Sequence, residues 1–274
     1  MNRISKRALA GALSLTLVLA AGGTGALAAE ESPVFTDIQG HYAQRAVERW
    51  SGYGLIAGYG SRFAPEDVLT RGQMAVILAK LLALPQGGGT PFDDVGPGEW
   101  YTDAIGRCYR AELLAGSGGL ARPNDPVSRE QAMVMLCKAL AIDSDDGADL
   151  SGYADGDRVS EYARGSVAAM LESGYVSGTG NGNISPQKAV TRGAFLTILN
   201  RAVAIYAVER NATIDAVQNT GLILVAEDNV TIRNAPKGTK ILVAKGISST
   251  RVNGKGVTGG TVYYAEEQSS SAAQ

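Results

Sequence analysis

The 274-residue chain is poor in the side chains that most enzymes use for nucleophilic or metal chemistry. It has one histidine, His41, and two cysteines, Cys108 and Cys137, which both stand in core-like apolar segments. No nucleophile–base pair and no metal cluster can be built from these three residues. The sequence therefore argues against an enzyme, and it predicts neither a cofactor nor a metal ion.

After residue 28 the chain also lacks any apolar run long enough to cross a membrane. Before that point, three basic residues precede an apolar run over residues 8–21, and an Ala-Leu-Ala cleavage site ends at Ala28. This order predicts a secretory signal peptide, residues 1–28, rather than a membrane anchor. In the exported protein one Cys108–Cys137 disulfide is an option, but two small buried thiols are favoured.

An excess of basic charge is missing as well. Without the three basic residues of the signal, 22 Lys and Arg stand against 27 Asp and Glu. Nucleic acid is therefore not an expected partner, because a nucleic-acid-binding protein presents a basic face. The acidic stretch from Asp143 to Asp157 is interpreted as a solvated linker rather than a calcium loop, because Gly147 stands one position early and no Glu closes it.

What the chain does have is a motif that occurs three times. A Ser or Thr is followed at once by Arg at the start of an apolar run, and a proline stands five residues before the Ser or Thr. Arginine is a poor choice for the first turn of a helix, where the dipole favours negative charge. We therefore expect these arginines to bind a ligand, the alternative being a salt bridge to an Asp of the preceding repeat. They are Arg71, Arg129 and Arg192, which lie 58 and 63 residues apart.

Each motif closes a larger unit with two amphipathic helices. The first helix is expected to stop at a loop with a left-handed glycine, Gly58, Gly116 or Gly178. The second helix begins at the motif, with capping boxes from Thr70 and Ser128 and a one-sided cap in the third repeat. Units this small have little core of their own. The pattern predicts one all-α, pseudo-threefold domain with repeats at 33–90, 91–148 and 149–206.

From residue 210 the composition changes to short segments rich in Val, Ile and Thr and separated by Gly and Asn. This pattern predicts a small all-β region over 210–266, either a β-helix-like solenoid or a sandwich. Such a small region is expected either to pack on the helical part or to self-associate. The whole chain is thus predicted to be mainly α with a small β region and a disordered polar tail over 267–274. The predicted strands are 212–217, 221–226, 230–234, 240–244 and 261–264.

The three repeats resemble the S-layer homology (SLH) family. They share its opening aromatic-x-Asp element, its Ala-rich first helix and its Thr-Arg-Ala-Glu motif, here Thr70-Arg71-Gly72-Gln73, Ser128-Arg129-Glu130-Gln131 and Thr191-Arg192-Gly193-Ala194. The resemblance covers about 33–206. It implies a three-pronged helical fold, export to a bacterial cell wall or surface, and non-covalent anchoring through grooves between repeats.

The resemblance also implies a ligand and its contacts. The expected partner is a secondary cell-wall polysaccharide, often with ketal-linked pyruvate, while peptidoglycan itself stays open. An anionic ketal would suit free N–H groups at a helix N-terminus, an arginine grip and a stacking aromatic. Alternatives are an S-layer-like lattice protein and a wall-tethered carbohydrate-active enzyme. The implied ligand-binding residues are Arg71, Arg129, Arg192, Asp37, Asp94, Asp155, Tyr42, Trp100 and Tyr162.

Overall fold

The structure is a computed structural model that describes residues 35–266, except 146 and 220. The predicted signal peptide and the predicted tail lie outside these residues. Within them, no helix is both long enough and apolar enough to cross a membrane.

The first part holds the predicted pairs of helices, one pair in each repeat. In every repeat the first helix has nine residues and the second, which we call the motif helix, has eleven. The capping boxes of Thr70 with Gln73 and Ser128 with Gln131 are both present, and Thr191 caps one-sidedly, as predicted. The helices are α1 (Gln44–Gly52), α2 (Arg71–Leu81), α3 (Thr102–Arg110), α4 (Arg129–Ala139), α5 (Arg164–Glu172) and α6 (Arg192–Ala202).

The three repeats close into a ring. Each motif helix packs on the first helix of the next repeat, α2 on α3 and α4 on α5, and α6 returns to α1. At the centre, the N–H of Leu69 donates to the carbonyl of Val190, Val190 donates to Val127, and Val127 donates to Leu69, at 2.9, 2.9 and 3.0 Å. This triangle of backbone hydrogen bonds marks the axis of a threefold arrangement. It fixes the start of all three motif helices around one point.

The predicted apolar faces of the motif helices form the core. Met74, Leu78, Met133 and Phe195 are all fully buried. Cys108 and Cys137 are free, buried thiols rather than a disulfide. Burial raises the pKa of Cys108 to about 12, so this thiol stays protonated and packs as a small apolar residue.

The prediction for the helix-ending glycines is wrong. The left-handed residues after the first helices are Gly54, Glu112 and Gly174, not the predicted three. The glycine at 58 is needed for close packing instead, because a Cβ there would lie 2.4 Å from the carbonyl oxygen of Arg62. Gly116 meets the Leu120 carbonyl oxygen in the same way, at 2.7 Å. These glycines therefore shape the loop that precedes each proline.

The β region is a short two-sheet solenoid. Strands β1, β3 and β5 pair in parallel in one sheet, and β2, β4 and β6 do so in the other; β8 and β7 then close the two sheets in antiparallel fashion. This is the β-helix-like alternative. The strands are β1 (Val203–Ala207), β2 (Thr213–Asp215), β3 (Leu222–Val225), β4 (Val230–Arg233), β5 (Lys240–Val243), β6 (Thr250–Val252), β7 (Lys255–Val257) and β8 (Thr261–Tyr264).

Strand β1 was expected to belong to the helical part. Helix α6 instead ends at Ala202, and the chain continues at once as a strand, because residues 203–207 pair with β3. Strands β6 and β7 were not predicted either; they are only three residues long.

The first sheet of the solenoid packs on the helices. Leu222 and Leu224 of β3 join the helical core, whereas Ile223 and Val225 face the inside of the solenoid. Alternate residues of a strand point to opposite faces, so this strand is buried on both sides. The Tyr206 hydroxyl also donates to the carbonyl of Leu81 at 3.1 Å. Of the two expectations for this region, packing on the helical part is therefore realised.

Candidate functional site

Three grooves lie beside the motif helices, and each is assembled from all three repeats. We number them by the repeat that forms the floor. In groove 2, the floor consists of residues 113–117 and 120–122 together with the exposed side of α4. Arg71 enters from repeat 1 and Tyr162 from repeat 3.

The other two grooves repeat this plan. Groove 3 has its floor in repeat 3, with Arg129 from repeat 2 and Tyr42 from repeat 1. Groove 1 has its floor in repeat 1, with Arg192 from repeat 3 and Trp100 from repeat 2. The cavity volumes are about 310, 520 and 440 Å³ for grooves 1, 2 and 3. The predicted arginines and aromatics are thus brought together, one of each in every groove.

Each motif arginine reaches across a repeat boundary to two backbone carbonyls. The Nε of Arg71 donates to Ala121 at 2.7 Å and its Nη2 donates to Ala115 at 2.8 Å. Burial lowers the pKa of all three guanidinium groups, but an arginine stays charged in proteins. The equivalent acceptors are Ile184 and Ser177 for Arg129, and Phe63 and Ala57 for Arg192.

Among the described residues, the three motif arginines do not form the direct salt bridge to an aspartate that was the alternative; their link to the aspartates is indirect. Both carboxylate oxygens of Asp94 accept backbone N–H groups, from Ala121 and Arg122 at 2.8 and 2.7 Å. Ala121 is the residue whose carbonyl accepts from Arg71. Aspartate and arginine are therefore linked through one peptide residue.

The same link occurs in the other repeats, through Phe63 between Asp37 and Arg192, and through Ile184 between Asp155 and Arg129. Burial raises the pKa of Asp37, but the hydrogen bonds from Phe63 and Ala64 lower it more, so the net pKa is below the usual value. None of the three aspartates lines one of the three grooves. Their geometry holds the groove floor and, through it, the arginine.

The expectation of free N–H groups at the motif-helix N-termini is wrong. The N–H groups of Arg71 and Gly72 donate to the carbonyls of Asp125 and Pro123 in the next repeat, at 3.0 and 2.8 Å. The third N–H, of Gln73, is taken by the Thr70 cap. Helices α4 and α6 are satisfied in the same way. Backbone donors are thus used for ring closure, and any charge for an anion has to come from side chains.

Each groove also contains a second cationic side chain, which was not predicted from the sequence. Lys80 in groove 1, Lys138 in groove 2 and Arg201 in groove 3 each occupy the tenth position of the motif helix, and all three are exposed. An exposed basic residue in the last turn of a helix also suits the helix dipole, so nothing in a single copy distinguishes it. Its recurrence at the same position in three helices was the available signal.

The three aromatics are all exposed to about the same degree, 62% for Tyr42, 61% for Trp100 and 60% for Tyr162. Large aromatic side chains usually lose more of their surface to the core. Their rings therefore offer flat apolar faces to whatever enters the grooves.

The arginines differ more than the aromatics do. Arg192 is 3% exposed, with Phe63 and Tyr59 rings 4.5 and 5.2 Å from its guanidinium carbon. Arg129 is 9% exposed, and Arg71 is only partly buried. Acidic side chains also reach two grooves, Asp125 in groove 2 and Glu66 in groove 3. Among the described residues, no three His, Cys, Asp or Glu side chains are grouped closely enough to hold a metal ion.

A closed ring of three helical repeats with one groove at each repeat boundary defines a repeat-built helical module. The S-layer homology domain matches residues 34–75, 91–133 and 152–196. The protein belongs to the S-layer homology family, with three tandem domains, as the motifs indicated. It is an exported bacterial cell-surface protein, and such domains anchor proteins to the cell wall.

Relatives of two kinds share these domains. The surface-layer 125 kDa protein of Lysinibacillus sphaericus is 28% identical over 216 residues, which cover 76% of this chain and 17% of that protein. The S-layer protein sap of Bacillus anthracis is 26% identical over 192 residues, 68% and 23% of the two chains. An amylopullulanase of Thermoanaerobacterium thermosulfurigenes is 27% identical over 175 residues, 62% of this chain but 9% of the enzyme. The chain thus spans less than a quarter of the length of these relatives.

Proposed function

We propose that the three grooves bind an acidic secondary cell-wall polysaccharide, with ketal-linked pyruvate as the recognised group, and thereby hold the protein on the wall. The observation that carries this proposal is the threefold recurrence of two cations and one exposed aromatic, brought together from three repeats. A single groove of this kind would be an ordinary surface feature. Three equivalent ones suit a polymer with a repeating structure.

The charge favours an anion. In groove 2, Arg71 and Lys138 are both cationic, and Asp125 is the one acidic side chain among the lining residues. The Nε and Nη2 atoms of Arg71 are committed to carbonyls, so the arginine contributes its charge and its remaining N–H groups. Lys138 is exposed and free to follow a carboxylate. A charge-assisted hydrogen bond of this kind contributes roughly 1.5–3 kcal/mol.

The aromatic and the shape favour a sugar. A pyranose ring stacks on a flat aromatic face, and Tyr42, Trp100 and Tyr162 each present one beside a groove arginine. The groove volumes of about 310 to 520 Å³ suit one or two sugar units of a longer chain. Several weak sites on one rigid ring would act together on a polymer, because each bound groove raises the local ligand concentration for the next.

The test is co-sedimentation of the exported protein with purified bacterial cell walls, before and after acid extraction of their polysaccharide. The variant Lys80→Ala/Lys138→Ala/Arg201→Ala removes one exposed cation from each groove. Its matched control, Arg233→Ala/Lys245→Ala/Arg251→Ala, removes the same charge from exposed positions of the β region.

We expect the control to sediment like the parent protein, the groove variant to stay in the supernatant, and extraction to abolish binding. Binding that survives extraction would point to peptidoglycan. Equal loss in both variants would reduce the effect to net charge and contradict the groove assignment.

A second candidate function is assembly into a surface lattice. The observation that favours it is strand β8, which ends its sheet and exposes Val262 and Tyr264. An exposed sheet edge is a template for pairing with another chain. Light scattering on the protein at increasing concentration tests this: ordered growth that Val262→Lys abolishes supports assembly, whereas a concentration-independent monomer contradicts it.

A further inference from the structure

One groove has a component that the other two lack. Glu130 is the second residue of α4, and the equivalent residues of α2 and α6 are Gly72 and Gly193. The glutamate is only 2% exposed. A buried carboxylate is costly unless hydrogen bonds satisfy it, so its partners show what this position does.

All the partners of Glu130 lie across the boundary, in repeat 3. Its Oε1 accepts the Ser160 hydroxyl at 2.7 Å and the Tyr162 hydroxyl at 3.1 Å, and its Oε2 accepts the Ser160 N–H at 3.1 Å. Burial and the neighbouring Glu130 carboxylate raise the pKa of Tyr162 to about 12. The phenol therefore keeps its proton and donates it to the carboxylate.

The aromatics of the other grooves are held by rings instead. Trp100 stands edge-on to Tyr101 with centroids 5.1 Å apart, and Tyr42 lies over His41 at 4.3 Å. A glutamate could not replace Gly72 without displacement, because a Cβ there would lie 3.1 Å from both the Tyr101 ring and the Pro123 carbonyl oxygen. The hydrogen-bonded anchor is therefore specific to groove 2.

We propose that Glu130 is a positioning residue for groove 2, holding the ring of Tyr162 beside Arg71 so that this groove is the tightest of the three. The inference rests on the proposed function, because it assigns the groove a sugar ligand. A ring that is already fixed loses little freedom when a sugar stacks on it. Releasing it is expected to weaken binding by roughly 3- to 10-fold, since ordering one side chain carries a penalty of that size.

The experiment uses a methyl glycoside with ketal-linked pyruvate as the probe, titrated by calorimetry. The parent for the test is the Tyr42→Ala/Trp100→Ala variant, in which only groove 2 keeps its aromatic. We expect Glu130→Ala to weaken binding in this background and Glu130→Gln to restore most of it, because the amide oxygen still accepts from Tyr162. Tyr162→Phe should weaken binding to the same extent, and Glu130→Ala should then add nothing.

A ligand-free readout separates positioning from mere packing. With tyrosine labelled by ¹³C at Cζ, NMR should show the Tyr162 phenol still protonated at a pH where exposed tyrosines ionise, and Glu130→Ala should lower its pKa towards theirs, because the contribution of the carboxylate is lost while that of burial remains. Tyr162→Phe assigns the signal. If Glu130→Ala fails to fold, Glu130→Gln and Tyr162→Phe still carry the test.

The possible failures are distinct. If the parent binds the probe and Glu130→Ala binds it equally well, the positioning role is wrong while the groove function stands. If the wild type binds the probe and the parent does not, groove 2 is not the tightest groove and this inference is wrong while the groove function stands. If the wild type does not bind the probe at all, the proposed function is wrong and this inference falls with it.

Discussion

The helical ring and the β solenoid meet in one apolar core, and the solenoid has a second, smaller core inside it, but the two regions are held together in opposite ways. The ring is closed: each repeat sends its arginine and two helix N–H groups into the next, and the third returns to the first. The solenoid is a stack, in which each winding pairs with the one before it and the last is left with antiparallel edges. The ring is thus stabilised by contacts between its own repeats, whereas the solenoid depends on packing against the helices.

That difference bears on what the β region is. A passenger domain would bury its own core and expose its outer faces. Here Leu222, Leu224 and Leu242 turn the outer face of the first sheet into part of the helical core. The β region is therefore packed as one structural unit with the helical ring, and the two parts are expected to unfold together.

The largest effect is expected from a mutation at the junction between the two regions, where the first sheet of the solenoid packs on the helices. Leu224→Ala removes a fully buried side chain that faces the helices, and Ile223→Ala removes its neighbour, which faces the solenoid interior. Each should cost about 2–5 kcal/mol of unfolding free energy. Hydrogen exchange followed by mass spectrometry should show Leu224→Ala raising exchange in α2 and β3 together. Faster exchange confined to β3 would mean that the two regions unfold separately.

The next largest effect comes from the arginines that join neighbouring repeats, of which two can be compared. Arg192 is almost fully buried and closes the ring from repeat 3 to repeat 1, whereas Arg71 is partly exposed. Arg192→Met should cost about 3 kcal/mol, because a buried guanidinium loses two charged hydrogen bonds, and Arg71→Met about half of that, because water replaces its bonds. Urea denaturation checks both. A larger loss for Arg71→Met would contradict the burial argument.

More of the ring than of the solenoid could be predicted from the sequence, for a physical reason. Within each motif helix the apolar residues, such as Met74, recur at helical spacing. Because this pattern occurs three times beside the same motif, the sequence predicted the motif helices and their arginines. The link from Asp94 through Ala121 to Arg71 could not be predicted. It runs through the backbone N–H and carbonyl of Ala121, groups that leave no mark in the sequence. Lys138 was passed over because one exposed lysine on a helix has no distinguishing pattern. Strand β1 was missed because Val203 follows the helix without a break.

A smaller effect tests what holds the junction. Tyr206→Phe deletes the hydroxyl that donates to Leu81 but keeps the buried ring. It should cost about 1 kcal/mol, the typical net contribution of one hydrogen bond, well below Leu224→Ala. Thermal unfolding followed by circular dichroism checks this ranking. If Tyr206→Phe were the more damaging change, the junction would depend on the hydrogen bond rather than on apolar packing.

The smallest expected effect is a change in the free energy of unfolding at acidic pH. The folded-state pKa of Asp37 is lowered, so its ionised carboxylate stabilises the fold above the usual aspartate range, and that stabilisation is lost as the pH falls through the folded pKa. The difference in unfolding free energy between the wild type and Asp37→Asn should therefore narrow below about pH 4. Urea titrations between pH 7 and 3 measure it. A difference that does not change with pH would mean that the charge of Asp37 contributes nothing.

The most direct test of the central claim, that the grooves recognise an acidic sugar, is a calorimetric titration with a pyruvylated methyl glycoside and with the same glycoside lacking pyruvate. Tyr42→Ala/Trp100→Ala/Tyr162→Ala serves as the groove variant, since all three side chains are largely exposed and their loss leaves the core intact. We predict saturable binding of the pyruvylated sugar by the wild type, and none by the variant or with the unmodified sugar. Equal binding of the two sugars, or undiminished binding by the variant, would contradict the account.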